Sequence, residues 1–163
     1  FVVTQSQCEV CAVSFSEVED IVAKHLNKKT KIISLQPNTL SEVFNDIRRV
    51  AKTIDINEEI YNKLIYSLEK RVENIKNKNQ VQKKPTVACI EWIDPLMAAG
   101  NWIPEMVKIS GGEDVFGKSG KDSHWIKFNH IKEYNPDIIV FLPCGFDIIK
   151  TKEEVDNLII KNN

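Results

Sequence analysis

Two cysteines spaced Cys8-x-x-Cys11 stand in a polar loop just after a short hydrophobic run at the head of the chain. That spacing serves metal sites, redox dithiols and disulfides, and each makes its own demand. A structural zinc site needs four ligands, and this pair supplies two. Cys144 and His124 would have to complete it, and no second paired motif accompanies them. A thioredoxin-like dithiol places its first cysteine at a helix N-terminus, where the dipole lowers the thiol pKa. Here a Ser16-x-x-Glu19 capping box predicts a helix start at Ser16, well past Cys11, which weakens the redox reading. A disulfide stays open if the compartment is oxidising. The favoured reading is a rigid loop whose small side chains let the backbone approach a ligand or pack closely. Cys89 differs from the other three cysteines: it lies inside an apolar run and reads as a small buried hydrophobe.

Other chemistries find less support. No G-x-G-x-x-G and no G-x-x-x-x-G-K-[ST] occurs, so neither dinucleotide nor P-loop binding is indicated, and there is no G-x-S-x-G elbow. Glu113 and Asp114 are adjacent, and nothing marks them as an acid/base pair; Glu113 is expected exposed at the turn after Gly112. No catalytic residue and no resident metal are therefore assigned. A metal- or thiol-dependent enzyme using Cys8, Cys11 and Cys144 is kept only as an alternative.

The elements that would position these residues follow from hydrophobic periodicity and caps. Phe1–Thr4 and Lys31–Leu35 read as strands, with a helix from Ser16 to about Leu26 between them whose inner face is Val18, Ile21, Val22 and His25. Thr39-x-x-Glu42 is a second capping box, and Leu40, Val43, Phe44, Ile47, Val50 and Ala51 follow at helical spacing. Asn57 is positioned to cap a long helix from Glu58 to about Gln82, with the stripe Ile60, Leu64, Leu68, Val72 and Ile75. Thr86–Glu91 is a strand, Trp92–Gly100 a loop and Pro104–Ser110 a helix closed by Gly111-Gly112. A polar loop leads to a helix over His130–Tyr134, stopped at Asn135-Pro136. Asp137–Leu142 has the uninterrupted apolar character of a strand covered on both faces, and Thr151-x-x-Glu154 is placed to cap the last helix.

Strand, loop and helix thus alternate, which argues α/β with parallel sheets, while Thr39–Gln82 holds no strand. The expected architecture is two Rossmann-like lobes joined by a long helical spine: 1–38 the end of an N-terminal lobe, 39–84 the spine, 85–163 a C-terminal lobe. In that reading the N-terminal lobe is largely missing and the C-terminal lobe incomplete, since Phe1 opens the chain inside a strand. In open parallel sheets ligands bind beyond the carboxyl ends of strands. Three segments fall there: Gln5–Phe15, Trp92–Trp102 and Pro143–Phe146. They carry Cys8, Cys11, Trp92, Asp94, Pro95, Met97, Trp102, Cys144 and Phe146, with His124 and Trp125 near them. Three tryptophans in such loops suit a large, flat, partly apolar ligand.

With 163 residues the chain is about the size of one domain, and a net charge of -1 argues against nucleic-acid or acidic-membrane partners. No apolar run is long enough for a transmembrane helix, and the opening residues do not have the pattern of a signal peptide, so the compartment is not read from a targeting segment.

The segments CEVCAVS, TLSEVFNDIRRVA, IEWIDPLMAAGNWIPEMVKISGGEDVFG and SHWIKFNHIKEYNPDIIVFLPCGFD resemble the ABC-transporter substrate-binding proteins for vitamin B12, haem and iron-siderophores, and within them a cobalamin-binding branch. The resemblance is collinear over most of the chain. It implies a binding protein rather than an enzyme, a monomer that takes cobalamin or a similar metal chelate between its lobes and delivers it to an ABC permease. It implies that the chelate is ligand and not cofactor, and that the protein works in the periplasm or at the outer face of a membrane. A cytosolic corrinoid chaperone or sensor of the same fold is the alternative. In related proteins the loop after the first strand of the C-terminal lobe brings aromatic side chains to the corrin, here Trp92 with Asp94, Pro95 and Met97. The acid of the Gly-Gly-Glu turn, here Glu113, docks to permease arginines. One departure is His130, where relatives often carry Glu.

Overall fold

The computed structural model describes residues 1–6, 14–26, 29–79 and 83–162. Cys8 and Cys11 lie outside the described residues, as do Asn27, Lys28 and the last residues of the expected spine, 80–82. The chain divides into two compact units, Phe1–Glu69 and Lys70–Asn163. No helix among the described residues is long and apolar enough to cross a membrane.

The first unit holds strands β1 (Val2–Gln5) and β2 (Ile32–Leu35), paired in parallel from Val2 with Ile32 to Gln5 with Leu35. Helix α1 (Phe15–His25) connects them and buries Val22. Its cap is Ser14, not Ser16: Ser14 Oγ accepts the Glu17 N–H, and Glu17 reaches back to the Ser14 backbone. Both Ser-x-x-Glu pairs fit the pattern, and the upstream one wins because it adds hydrogen-bonded turn. The expected inner face also narrows, since Ile21 and His25 are exposed.

Helix α2 (Leu40–Thr53) carries the expected capping box, with Thr39 accepting the Glu42 N–H and Glu42 accepting the Thr39 N–H. Helix α3 (Glu58–Lys78) starts where expected, with Asn57 Oδ1 accepting from the Glu59 N–H at 2.8 Å. Its 21 residues span about 31 Å at 1.5 Å per residue, shorter than the expected rod. The phase of its apolar stripe differs too. Ile60 is 65% exposed while Tyr61 is 4% and Ile65 1% exposed. Tyr61 and Ile65 pack with Ala51, Phe44 and Ile47 of α2. The inner face is therefore Tyr61, Ile65, Leu68 and Val72, which shares only its last two members with the sequence stripe; Leu64 and Ile75 face outward. Two apolar rows one residue apart run along this helix, and only the tertiary partner selects between them.

The second unit is organised on β3 (Thr86–Trp92). Alternate residues point to opposite faces of a strand. Val87 and Cys89 pack with Ala99, and with Ile103 and Val107 of α4 (Ile103–Ile109). Ile90 packs on the other side with Ile131 and Phe128 of α5 (Phe128–Tyr134), and with Leu158 and Val155 of α6 (Ile148–Lys161). Three layers result, with β3 covered on both faces. β7 (Ile138–Phe141) lies parallel to β3, Val87 opposite Ile138 through Ile90 opposite Phe141.

The sequence predicts two strands here, and the sheet has five. Three two-residue strands escape a periodicity argument: β4 (Met97–Ala98), β5 (Glu113–Asp114) and β6 (His124–Trp125). β5 pairs parallel to the start of β3, β4 turns back antiparallel to its end, and β6 adds antiparallel to β4. The sheet is mixed rather than all parallel. Nor is β7 covered on both faces: Ile138 is 46% and Val140 40% exposed, and its only partner among the described strands is β3.

Helix ends also refine the sequence reading. Gly111, at φ 90°, ends α4 in the left-handed conformation that glycine adopts without a Cβ clash. Helix α6 is capped by Asp147, whose carboxylate accepts the Lys150 N–H at 2.8 Å. Thr151, the expected cap, sits inside the helix and donates its hydroxyl back to the Asp147 carbonyl. His130 occupies the third position of α5, and its Nδ1 accepts the Lys127 backbone N–H at 3.3 Å. That is the task a glutamate at this position of a capping box performs.

The two parallel strands are clamped at their start. Asp137 Oδ2 accepts both the N–H and the hydroxyl of Thr86 at 2.8 Å, and Thr86 Oγ1 accepts the Asp137 N–H. These bonds, the backbone N–H first, hold the Asp137 carboxyl below its ordinary value of 3.8. Its contribution is present above that value and is lost as pH falls through the lowered one. In thermal melts, Asp137→Asn should lower the midpoint at neutral pH and lose less than the parent chain between about pH 4 and 2. Equal acid sensitivity would refute the clamp. Burial, and secondly the Asp114 carboxylate, push the Cys89 thiol up to about 11. Between its ordinary 9.0 and 11 only the unfolded chain ionises, so this contribution falls as pH rises through that window. Peptide mapping after alkylation at pH 8 should find Cys144 labelled and Cys89 labelled only in denaturant; labelling of Cys89 in the folded chain would contradict its burial.

Candidate functional site

The carboxyl end of β3 gathers the unusual side chains of the second unit. The pairing register shifts between Ile90 and Trp92, so that Ile90 faces Ala98 while Trp92 faces Met97. A bulge of this kind re-aims a side chain. Trp92 is thereby brought opposite Met97, which is itself opposite Trp125 in β6. Directly paired residues of antiparallel strands project on the same face. Trp92, Met97 and Trp125 thus form one row across three strands.

The exit loop of β7 meets the end of this row. Pro143 is buried, and Gly145, at φ 78° with open space where a Cβ would stand, turns the chain so that Phe146 reaches Trp92. Their ring centroids are 5.4 Å apart and the planes are inclined by 50°. The Trp92 indole N–H donates to the Asp94 carbonyl at 3.1 Å, which fixes the ring against the loop that follows β3. Lys150 lies 5.9 Å from the Phe146 centroid and is paired with Glu154, whose hydrogen bond raises the lysine pKa.

The rim is charged and exposed. Asp94 and Pro95 are exposed, and Asp94 pairs with Lys161 of α6 at 2.9 Å. Both partners are largely exposed, so the pair adds little to stability and serves as a polar edge. His124 is exposed opposite Ala98, in the other register position from Trp125. Trp125 is 56% exposed.

Of the residues singled out in the sequence, the structure brings Trp92, Met97, Trp125 and Phe146 together, with Asp94 and Pro95 at the rim. Trp102, half-buried, stands at the N-cap of α4 and is not part of the row. Cys144 is exposed in the β7 exit loop. Glu113 is exposed in β5, at the opposite end of β3 from Trp92, since it pairs with Thr86. Among the described residues no group of three or more His, Cys, Asp or Glu is placed to hold a metal ion.

Sequence reasoning missed the struts of this site. Ser123 Oγ donates to Glu91 Oε2 at 2.8 Å and accepts the Gly100 N–H at 3.1 Å. A Cβ on Gly100 would stand 2.5 Å from backbone atoms of Lys121, Asp122 and Ser123. The polar loop therefore lies directly on Gly100, and β6 with Trp125 follows from that close approach. The Gly-Asn step at 100–101 is the local signal, with Asn101 at φ 54°.

The arrangement offers flat apolar and polarisable faces with charges at the rim. It can hold a planar ligand by contact.

The fold recurs among solved ABC-transporter binding proteins. An ABC transporter substrate-binding protein from Listeria monocytogenes EGD-e is 20% identical with a TM-score of 0.73, covering 99% of this chain and 60% of its own. The S. aureus IsdE complexed with heme is 24% identical with a TM-score of 0.63, covering 90% and 55%. The periplasmic vitamin B12 binding protein BtuF of Vibrio cholerae is 16% identical with a TM-score of 0.58, covering 77% and 48%. The chain thus spans about half to three fifths of the length of these proteins. No curated protein matches it significantly. The model of the periplasmic binding protein family matches residues 11–162, nearly the whole chain, and the protein belongs to that family of binding proteins rather than enzymes.

Proposed function

We propose that the row Trp92, Met97 and Trp125, with Phe146, is one wall of a binding site for a flat, partly apolar metal chelate, a corrinoid such as cobalamin foremost, which the protein delivers to an ABC permease. The observation that carries this reading is the Trp92–Phe146 pair, two half-buried rings fixed at the carboxyl ends of adjacent parallel strands. Rings held in this way lose little freedom when a ligand covers them, so the contact is gained at low entropic cost. The similarity in fold to a vitamin B12 binding protein and to a binding protein complexed with heme supports the chelate class.

In the same reading Trp102, His124 and Cys144 stand at the margins of the ligand; Cys8 and Cys11, also expected to touch it, lie outside the described residues. Glu113, exposed at the far end of β3, is the docking acid for the permease. The ligand is cargo, no cofactor is required, and the working compartment is the periplasm or the outer face of a membrane.

Titration of the chain with cyanocobalamin, hemin and a ferric siderophore, read by calorimetry and tryptophan quenching, tests the proposal. Binding of the corrinoid is expected to weaken about tenfold in Trp92→Ala, equivalent to about 1.4 kcal/mol. Glu113→Ala should bind unchanged and lose transport in a permease assay. Failure of all three chelates to bind would overturn the reading; preference for hemin or the siderophore would overturn the corrinoid assignment.

A further inference from the structure

The net charge of -1 conceals a segregation of charge along the chain. Residues 70–84 hold six cations, Lys70, Arg71, Lys76, Lys78, Lys83 and Lys84, against the single acid Glu73. That segment is formally +5, so the rest of the chain carries -6. Lys70 pairs with Glu73 at 2.9 Å. The other five cations are exposed and stand in no ion pair among the described residues.

The fold gathers these cations at one end of the second unit. Arg71, Ile75 and Lys78 follow at spacings of four and three and share a face of α3. Val72 and Asn79 turn inward: Val72 is half-buried, and the Asn79 amide donates to the Ile109 carbonyl at 3.4 Å, at the end of α4. That contact brings in Lys108, exposed in the last turn of α4. Lys83 and Lys84 lead into β3, and the carbonyl of Pro85 accepts the Glu113 N–H at 2.9 Å. The acids that these contacts place here are Glu73, Glu113 and Asp137, the last held by Thr86. Cations outnumber them.

Two observations choose the partner. An exposed excess of positive charge attracts an anionic surface over about a Debye length. The second is Ile75, 46% exposed between two cations of its face. Nucleic-acid surfaces add aromatic rings or groups for base edges, and an aliphatic chain serves neither. At a bilayer the isoleucine enters the headgroup boundary while lysine and arginine stay among the phosphates. Glu113 lies at this same end, so the part of the protein assigned to the permease is also the part that meets its membrane.

We propose that Arg71, Ile75 and Lys78, with Lys83, Lys84 and Lys108, form a surface that holds the protein against anionic lipid headgroups. The orientation rests on the docking reading of Glu113. The surface itself uses none of the chelate-binding residues, and its test needs neither chelate nor permease.

The test is cosedimentation of the full chain with vesicles of phosphatidylcholine containing roughly a third phosphatidylglycerol, against vesicles of phosphatidylcholine alone. Binding is expected to the anionic vesicles only, and should fall at least tenfold between about 0.05 and about 0.5 M NaCl. The clustered variant Arg71→Glu/Lys78→Glu/Lys84→Glu should weaken binding at least tenfold. The scattered variant Lys52→Glu/Lys118→Glu/Lys152→Glu changes the net charge equally at exposed positions and should weaken it far less. Ile75→Ser, which changes no charge, should weaken binding severalfold and leave its salt dependence unchanged. No binding, equal binding to both vesicles, binding that salt does not weaken, equal losses in the clustered and scattered variants, or no loss in Ile75→Ser would each overturn the proposal. Tighter binding to a DNA duplex than to the anionic vesicles at the same salt would overturn it in favour of nucleic acid. A chain that binds anionic vesicles but no chelate would sink the chelate reading and leave this one standing.

Discussion

The second unit depends on the backbone of one strand. Thr86–Trp92 is buried on both faces, and each of its peptide groups must find a partner within the protein, since water cannot reach them. One edge is met along its length by the parallel strand Ile138–Phe141. The other is shared: Glu113–Asp114 serves its beginning and Met97–Ala98 its end. Short as they are, these partners are required, and the loops that carry them are therefore drawn onto the strand. The aromatic row is a consequence of that requirement. Met97 and Trp125 stand beside Trp92 because the chain must come back to complete the edge.

Rigidity at the site follows from the same source. Ser123 bridges the Glu91 carboxylate and the Gly100 N–H, and the loop packs against Gly100 more closely than any side chain would permit. The result is a surface of rings with fixed inclination, edged by the Asp94–Lys161 pair. Contact of this kind suits recognition by shape and polarisability. The first unit is of a different character, since its cavity is lined by serine, carboxylate, amide and arginine side chains with Pro37 and by no aromatic ring. The family model and the solved relatives extend over both units.

The sequence by itself determined the α/β class, the positions of the long strands and helices, the Thr39–Glu42 capping box, the cap at Asn57 and the burial of Cys89. These are local matters, decided by periodicity, by side chains within four residues of one another, or by an apolar run. It also marked the loops after the strands as the region in which to look for a ligand. What it left open was every choice between two locally equivalent patterns. Ser14 and Ser16 both head a capping box, and the rows Ile60/Leu64 and Tyr61/Ile65 are both helical stripes. The residues Ala51, Phe44 and Ile47 select the second row, and nothing on α3 itself could do so. The tertiary structure also decided the two-residue strands, the bulge that turns Trp92 toward Met97, and the meeting of Trp92 with Phe146. Each depends on segments far apart in sequence being brought to one strand, and the free energy that fixes them is that of pairing and packing, which no single segment contains.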